Sequence, residues 1–217
     1  MSQPVSPPMS RPARLVVVAG TGTGIGKTWV GCRLAERSRD MGRRVAARKP
    51  AQSFDAGEVT DAEWLAAATG EKPETVCPSH RWYECPYAPP MAAAALHRPP
   101  FTIADLCAEF SWPAPLDLVL VETVGGLRSP LASDGDAVDL IESLRPDSVV
   151  LVADAGLGTL NAVRLSLDAL AGRPAVVMLN HFDDRVELHR ANRSWLMERN
   201  EAPVVASIEE LGQLVDP

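Results

Sequence analysis

Positive charge is in short supply in this chain. Its 217 residues carry 21 lysines and arginines against 28 acidic residues, a formal net charge of −7. That deficit excludes broad, charge-driven binding to nucleic acid and leaves room only for a local basic pocket. Cysteine is scarce too. Cys32, Cys77, Cys85 and Cys107 form no C-x-x-C pair, which argues against a disulfide framework and for reduced thiols in the cytoplasm. No apolar run is long enough to cross a bilayer, and the first residues lack the apolar core of a signal peptide. A cytoplasmic protein with no membrane and no nucleic-acid partner is expected. No internal repeat is present, so repeat architectures are excluded.

Apolar residues are plentiful, 46% against 23% charged, enough for a globule of this length with one sizeable domain. Residues 1–12, rich in Pro and Ser, read as a disordered tail ahead of a single domain over 13–217.

The stretch Val16-Val17-Val18-Ala19-Gly20-Thr21-Gly22-Thr23-Gly24-Ile25-Gly26-Lys27-Thr28 reads as a buried strand, a glycine-rich turn and a helix start. The glycines let backbone amides approach an anion, Lys27 adds a cation and Thr28 a hydroxyl suited to magnesium. This is phosphate-loop chemistry. Five residues separate Gly20 from Gly26, one more than the usual four.

Beyond the loop, apolar strands alternate with helices. Strands are expected near 45–49, 116–121, 148–153, 174–179 and 203–206. Helices are expected near 27–41, 60–70, 91–96, 102–110, 136–144, 160–171, 187–199 and 208–215. Residues 71–90, rich in proline, read as a surface segment. The pattern predicts an α/β fold: a mostly parallel sheet with helices on both faces, the P-loop NTPase arrangement. In such sheets ligands bind at the carboxyl ends of strands. Lys49, Glu122 and Asn180 all fall there, beside the glycine loop. Glu122 stands where a Walker B acid would, and Asp61 is either a further magnesium ligand or a plain helix cap. Lys49 could neutralise a transferring phosphoryl group or a bound acid, or be a strand-end surface lysine. Cys77, His80 and Cys85 have the spacing of three metal ligands but fit an irregular loop better.

Six stretches occur in order: Gly20-x5-Gly26-Lys27-Thr28, Lys49-Pro50-Ala51-Gln52-Ser53, Thr60-Asp61-Ala62, Pro86-Tyr87 with Pro89-Pro90-Met91-Ala92, Val121-Glu122-x-x-Gly125-Gly126-Leu127, and Gly156-Leu157-Gly158-Thr159-Leu160-Asn161. Together they resemble the dethiobiotin synthetases over about 15–180. The resemblance implies a homodimeric cyclo-ligase that uses ATP and Mg2+ to join CO2 and 7,8-diaminopelargonic acid into the ureido ring of dethiobiotin, in biotin synthesis. It implies ATP contacts from Thr23, Gly24, Ile25, Gly26, Lys27, Thr28, Glu122, Gly125 and Asn180, the last at the base. It implies a metal set of Thr28, Asp61 and Glu122, with Lys49 and Lys27 catalytic. Thr23, Lys49, Ser53, Leu157, Gly158 and Asn161 would bind the diamine or its carbamate, Gly158 and Asn161 from the partner subunit.

This chain departs from that pattern at named places. Thr123 and Val124 replace small residues, and both disfavour positive φ. Asp154 stands where an arginine is usual, an unfavourable acid near an acidic substrate unless it points away. Ala162 replaces a histidine, and Ala206-Ser207-Ile208-Glu209 replaces a Gly-x-Ile-Pro. A related enzyme activating another carboxylate or carbamate is therefore a rival reading. A nucleotide switch of the septum-site or plasmid-partition type is a weaker one, because Gly22 stands where those proteins carry a lysine.

Overall fold

Each valine-rich run becomes a strand of one sheet. In the computed structural model, which describes residues 11–112 and 115–216, the chain runs β1 (Arg14–Gly20), α1 (Lys27–Asp40), β2 (Val45–Arg48), β3 (Gln52–Ser53), α2 (Asp61–Thr69), α3 (Pro73–Val76), a 3-10 turn (Ser79–Arg81), β4 (Trp82–Tyr83), α4 (Pro89–Ala95), α5 (Ile103–Glu109), β5 (Leu118–Glu122), β6 (Pro130–Ala132), β7 (Gly135–Asp136), α6 (Ala137–Leu144), β8 (Ser148–Asp154), α7 (Thr159–Leu170), β9 (Ala175–Asn180), α8 (Glu187–Arg199), β10 (Val204–Val205) and α9 (Ile208–Val215). Six strands pair in the order β10-β9-β8-β1-β5-β2, and every pairing is parallel.

Parallel strands buried on both faces need no polar side, so their sequences stay apolar throughout. Along β1, Leu15, Val17 and Ala19 join one core with residues of α4–α8, such as Leu106, Ile141 and Val163. Val16 and Val18 join the other with Val30 and Leu34 of α1 and Leu211 of α9. Helices therefore cover both faces, as the sequence pattern predicts. The registers Val18 to Glu122 and Asp154 to Asn180 line up several carboxyl ends along one rim.

The surface segment expected over 71–90 needs correction. Val76, Cys77 and Tyr83 are buried, and β4 pairs with β3. Prolines remove donors without making a segment external; here the remaining backbone groups find partners, with Lys49 N donating to Val76 O at 2.8 Å and Phe54 N to Tyr83 O at 3.0 Å. Tyr83 also stacks on Phe101, centroids 6.0 Å apart. The helix expected from Met91 begins at Pro89, a residue suited to a first turn. Residues 1–10 of the expected tail lie outside the described residues; Arg11 donates to the Arg145 carbonyl at 2.9 Å.

Thr60 caps α2 with a full capping box: its hydroxyl accepts from Glu63 N, and the Glu63 carboxylate accepts from Thr60 N at 2.7 Å. Thr60→Ala should cost about 1 kcal/mol in a denaturant titration.

Candidate functional site

The glycine loop closes on itself tightly. A Cβ on Gly20 would meet Ile25 Cδ1 at 2.6 Å and Lys27 Cδ at 2.9 Å, and one on Gly26, whose φ is +89°, would meet Asn180 Nδ2 at 2.1 Å. Gly26 is the N-cap of α1, which has no side-chain cap and no acidic residue in its first turn. Its leading amides are left for an anion. Lys27 donates to the Gly22 carbonyl at 2.7 Å and, among the described residues, touches no carboxylate. Burial, and then the nearby Lys49 charge, lower its pKa; Glu122 and Asp61 offset this only in part, and the result is about 8. A buried cation without a direct counter-ion is stabilised by a bound phosphate.

Behind the loop three elements converge. Lys49 follows β2, Glu122 ends β5 and Asp61 begins α2. Lys49 Nζ lies 2.6 Å from Glu122 Oε1 and 2.6 Å from Asp61 Oδ2, and 3.3 Å from the Thr123 carbonyl. Thr28 Oγ1 sits 2.8 Å from Asp61 Oδ1 and 2.9 Å from Glu122 Oε1. Lys49 and Glu122 are 2% and 1% exposed. Burial works to lower the Lys49 pKa, but Glu122 and Asp61 outweigh it and hold the pKa above its ordinary value. Burial pushes the Asp61 carboxyl up, yet Lys49 and the hydrogen bond from Thr28 bring it below the usual range. Lys49 is thus no surface lysine. Nor is Asp61 the helix cap, since Thr60 fills that role.

The oxygen set fits a magnesium ion. Thr28 has one hydroxyl proton for two carboxylates, and buried Glu122 Oε2 has no hydrogen-bond partner among the described residues. Hard oxygens from one hydroxyl and two carboxylates are what Mg2+ takes beside nucleotide phosphates. Cys77, His80 and Cys85 form no such site: among the described residues no three His, Cys, Asp or Glu side chains gather as a metal centre. His80 pairs with Glu109 at 3.0 Å, and burial pushes the Cys77 thiol up to about 12.

Other expected residues fall elsewhere on the rim. Thr23 and Asn161 line one groove of about 660 Å³ between the glycine loop and α7. Gly158 starts α7 at φ +92°, and Leu157 beside it is 93% exposed. Ser53 Oγ is buried without a partner. Asn180, expected at the base, donates Nδ2 to the Ile25 carbonyl at 2.9 Å and so braces the loop. Gly24 and Gly125 both take positive φ.

The departures are accommodated. Among the described residues neither Thr123 nor Val124 has positive φ; Gly125 takes it instead, at +61°. Thr123 N donates to Val18 O at 3.0 Å, extending the sheet, and Val124 packs on the core. The Asp154 carboxylate is engaged by His181 Nδ1 at 3.0 Å and Gly156 N at 2.7 Å, and these two contacts lower its pKa. Sequence reasoning overlooked Gln52, whose Oε1 accepts from Ala62 N at 2.9 Å and fastens the start of α2. Its only signal was membership of the Lys49–Ser53 motif.

A parallel sheet with a glycine loop at the end of its central strand, a threonine on the following helix and an acid on the neighbouring strand defines the P-loop NTPase class. In agreement, a plasmid partition protein from Borrelia burgdorferi superposes with a TM-score of 0.56 at 11% identity, covering 92% of this chain and 95% of that one; it shares the fold alone. Residues 14–217 match the AAA domain family. An ATP-dependent dethiobiotin synthetase from Anaeromyxobacter sp. is 40% identical over 76% of this chain and 74% of its own length. One from Haloferax mediterranei is 38% identical over 86% and 80%. The chain belongs to the ATP-dependent dethiobiotin synthetase family, cyclo-ligases of biotin biosynthesis. The rival partition-type reading keeps only the fold.

The lowered Lys27 pKa carries a sign. Phosphate binding needs the ammonium, which the free protein holds below pH 8 and loses above it. ATP affinity should be flat from pH 6.5 to 7.5 and fall above about 8, with proton uptake on binding measurable by calorimetry. The fall should vanish in Lys27→Arg.

Proposed function

We propose that this chain closes the ureido ring of dethiobiotin from 7,8-diaminopelargonate and CO2 as a cytoplasmic homodimer, each subunit a single nucleotide-binding domain over 13–217. The convergence of Lys49, Asp61, Glu122 and Thr28 beside Lys27 carries this reading. An amine of the substrate adds to CO2 and loses a proton, giving a carbamate. The carbamate oxygen attacks the γ-phosphorus and ADP leaves. The second amine then attacks the carbamoyl carbon, and phosphate departs as the ring closes.

The reactants are all anionic or become so, and the protein's work is to gather them and hold them in line. Amides of Gly24 to Thr28 and the Lys27 ammonium bind the phosphates. Thr28, Asp61 and Glu122 would hold Mg2+, which would supply neutralisation of phosphate charge when bound. Lys49 has three N–H donors and stabilises the carbamate oxygen and the moving phosphoryl group. Thr23 and Ser53 position the diamine. The far carboxylate meets the start of α7, at Leu157, Gly158 and Asn161 of a second copy, where helix amides favour an anion. Exposed Leu157 and Leu165, 93% and 61%, support burial of this face in a dimer.

The test is direct: protein, Mg-ATP, bicarbonate and the diamine, with dethiobiotin read by mass spectrometry. Product formation is expected; none, with ATP demonstrably bound, contradicts the reading. Lys49→Ala should bind ATP and lose turnover by about 100-fold or more, the scale for one electrostatic stabiliser. A strictly monomeric mass in solution would remove Asn161 from a shared site.

A further inference from the structure

Asp154, the acid that stands where an arginine is usual, does more than find a partner. It ends β8, and its Oδ2 meets Nδ1 of His181, one residue past β9, at 3.0 Å. The other ring nitrogen of His181, Nε2, lies 3.3 Å from Asn180 Nδ2. That same Nδ2 donates to the Ile25 carbonyl at 2.9 Å and braces the phosphate loop. A line of hydrogen bonds thus runs from the end of β8 to the loop.

The ends of that line fix its direction. The Ile25 carbonyl only accepts, so buried Asn180 turns its amide nitrogen, not its oxygen, toward the loop. The second Nδ2 hydrogen then meets His181 Nε2, which must be the bare nitrogen of a neutral ring. The ring proton sits on Nδ1 and is donated to Asp154. The other Asp154 oxygen accepts from Gly156 N at 2.7 Å. Backbone therefore fixes Asp154, Asp154 fixes the tautomer of His181, and His181 fixes which way the Asn180 amide faces. Without His181, Ile25 alone would distinguish the two orientations of that amide. His181 itself takes φ +57°, a left-handed conformation uncommon outside glycine and kept where contacts over-determine it.

We infer that His181 is a positioning residue for the phosphate loop: with its proton held on Nδ1 by Asp154, it orients the Asn180 amide that holds Ile25, and so the amides from Gly24 to Thr28. The inference rests on the reading that ATP phosphates sit on those amides. A protonated ring would set an N–H against Asn180 Nδ2, donor against donor, and the brace would open. The charged groups bearing on the ring are Asp154, His189, which acts on that carboxylate from α8, and Lys27 of the loop, which is turned to the Gly22 carbonyl. Bound phosphates would favour the charged ring, but its side chain is 61% exposed and solvent screens that attraction.

The experiment measures ATP affinity by calorimetry for the unmodified protein, His181→Gln and His181→Phe at pH 7.5 and 5.5, which bracket imidazole titration on the acid side of the plateau expected from Lys27. His181→Phe keeps a ring and loses the acceptor. It should bind ATP about three- to tenfold more weakly at pH 7.5, the scale of one hydrogen bond, with the KM for ATP raised and kcat little changed. Glutamine offers Asn180 an acceptor that takes no proton, so His181→Gln should recover most of that affinity. On going to pH 5.5 the unmodified protein should lose about three- to tenfold more affinity than His181→Gln does. Nitrogen-15 shifts of the ring, read in the unmodified protein at pH 7.5, should place the proton on Nδ1. A proton on Nε2 overturns the inference, as does full affinity in His181→Phe at pH 7.5 or an acid-side loss that His181→Gln shares in full. Each of those results leaves the phosphate-loop reading standing; a folded, unmodified protein that binds no ATP overturns both.

Discussion

One ammonium held between two carboxylates sets the geometry of this site. Lys49 and Glu122 are buried, and neither charge is tolerable alone. Lys49 joins the two oxygens at 2.6 Å and so ties the end of β2 to the end of β5 and the start of α2. Thr28 reaches the same carboxylates from α1. The remaining features read as support for that meeting point. Thr60 caps α2, Gln52 fastens its second residue, and buried Arg48, paired with half-buried Glu71 at 2.8 Å, braces the strand before Lys49.

The glycine loop follows a second constraint, steric rather than electrostatic. Gly26 leaves room for Asn180, and Asn180 holds Ile25. Loop, the end of β9 and helix start are thereby one unit. The uncapped start of α1 and the unpaired Lys27 make that unit cationic without a counter-ion, which is how a phosphate site differs from a packed helix terminus. The chain's charge deficit is consistent with this economy. It has three lysines, Lys27, Lys49 and Lys72, and two of them are here.

Most of the fold was legible because parallel strands are buried on both faces and write themselves as uninterrupted valine and leucine. β1, β5, β8 and β9 follow such runs. The short strands β3 and β4 were not legible: two residues each, flanked by prolines, they gain their order from Tyr83 and from backbone partners far along the chain. The site divides the same way. Lys27 and Thr28 follow from local spacing. Asp61 and Lys49 were ambiguous, since a helix start and a strand end are polar in any protein, and only the tertiary meeting with Glu122 decides. Asp154 looked unfavourable because its partner, His181, lies on another strand end. Thr123 and Val124 looked strained because the sequence does not say which residue of the loop takes positive φ; it is Gly125.

The central claim is that Lys49 and its carboxylates form one interdependent charge cluster. Denaturant unfolding of Lys49→Met and of Lys49→Met/Glu122→Gln tests it most directly. Removing the ammonium alone should cost about 3 kcal/mol, and neutralising Glu122 as well should restore most of that loss. A Lys49→Met protein as stable as the unmodified chain, or a double variant in which the losses simply add, would contradict the account.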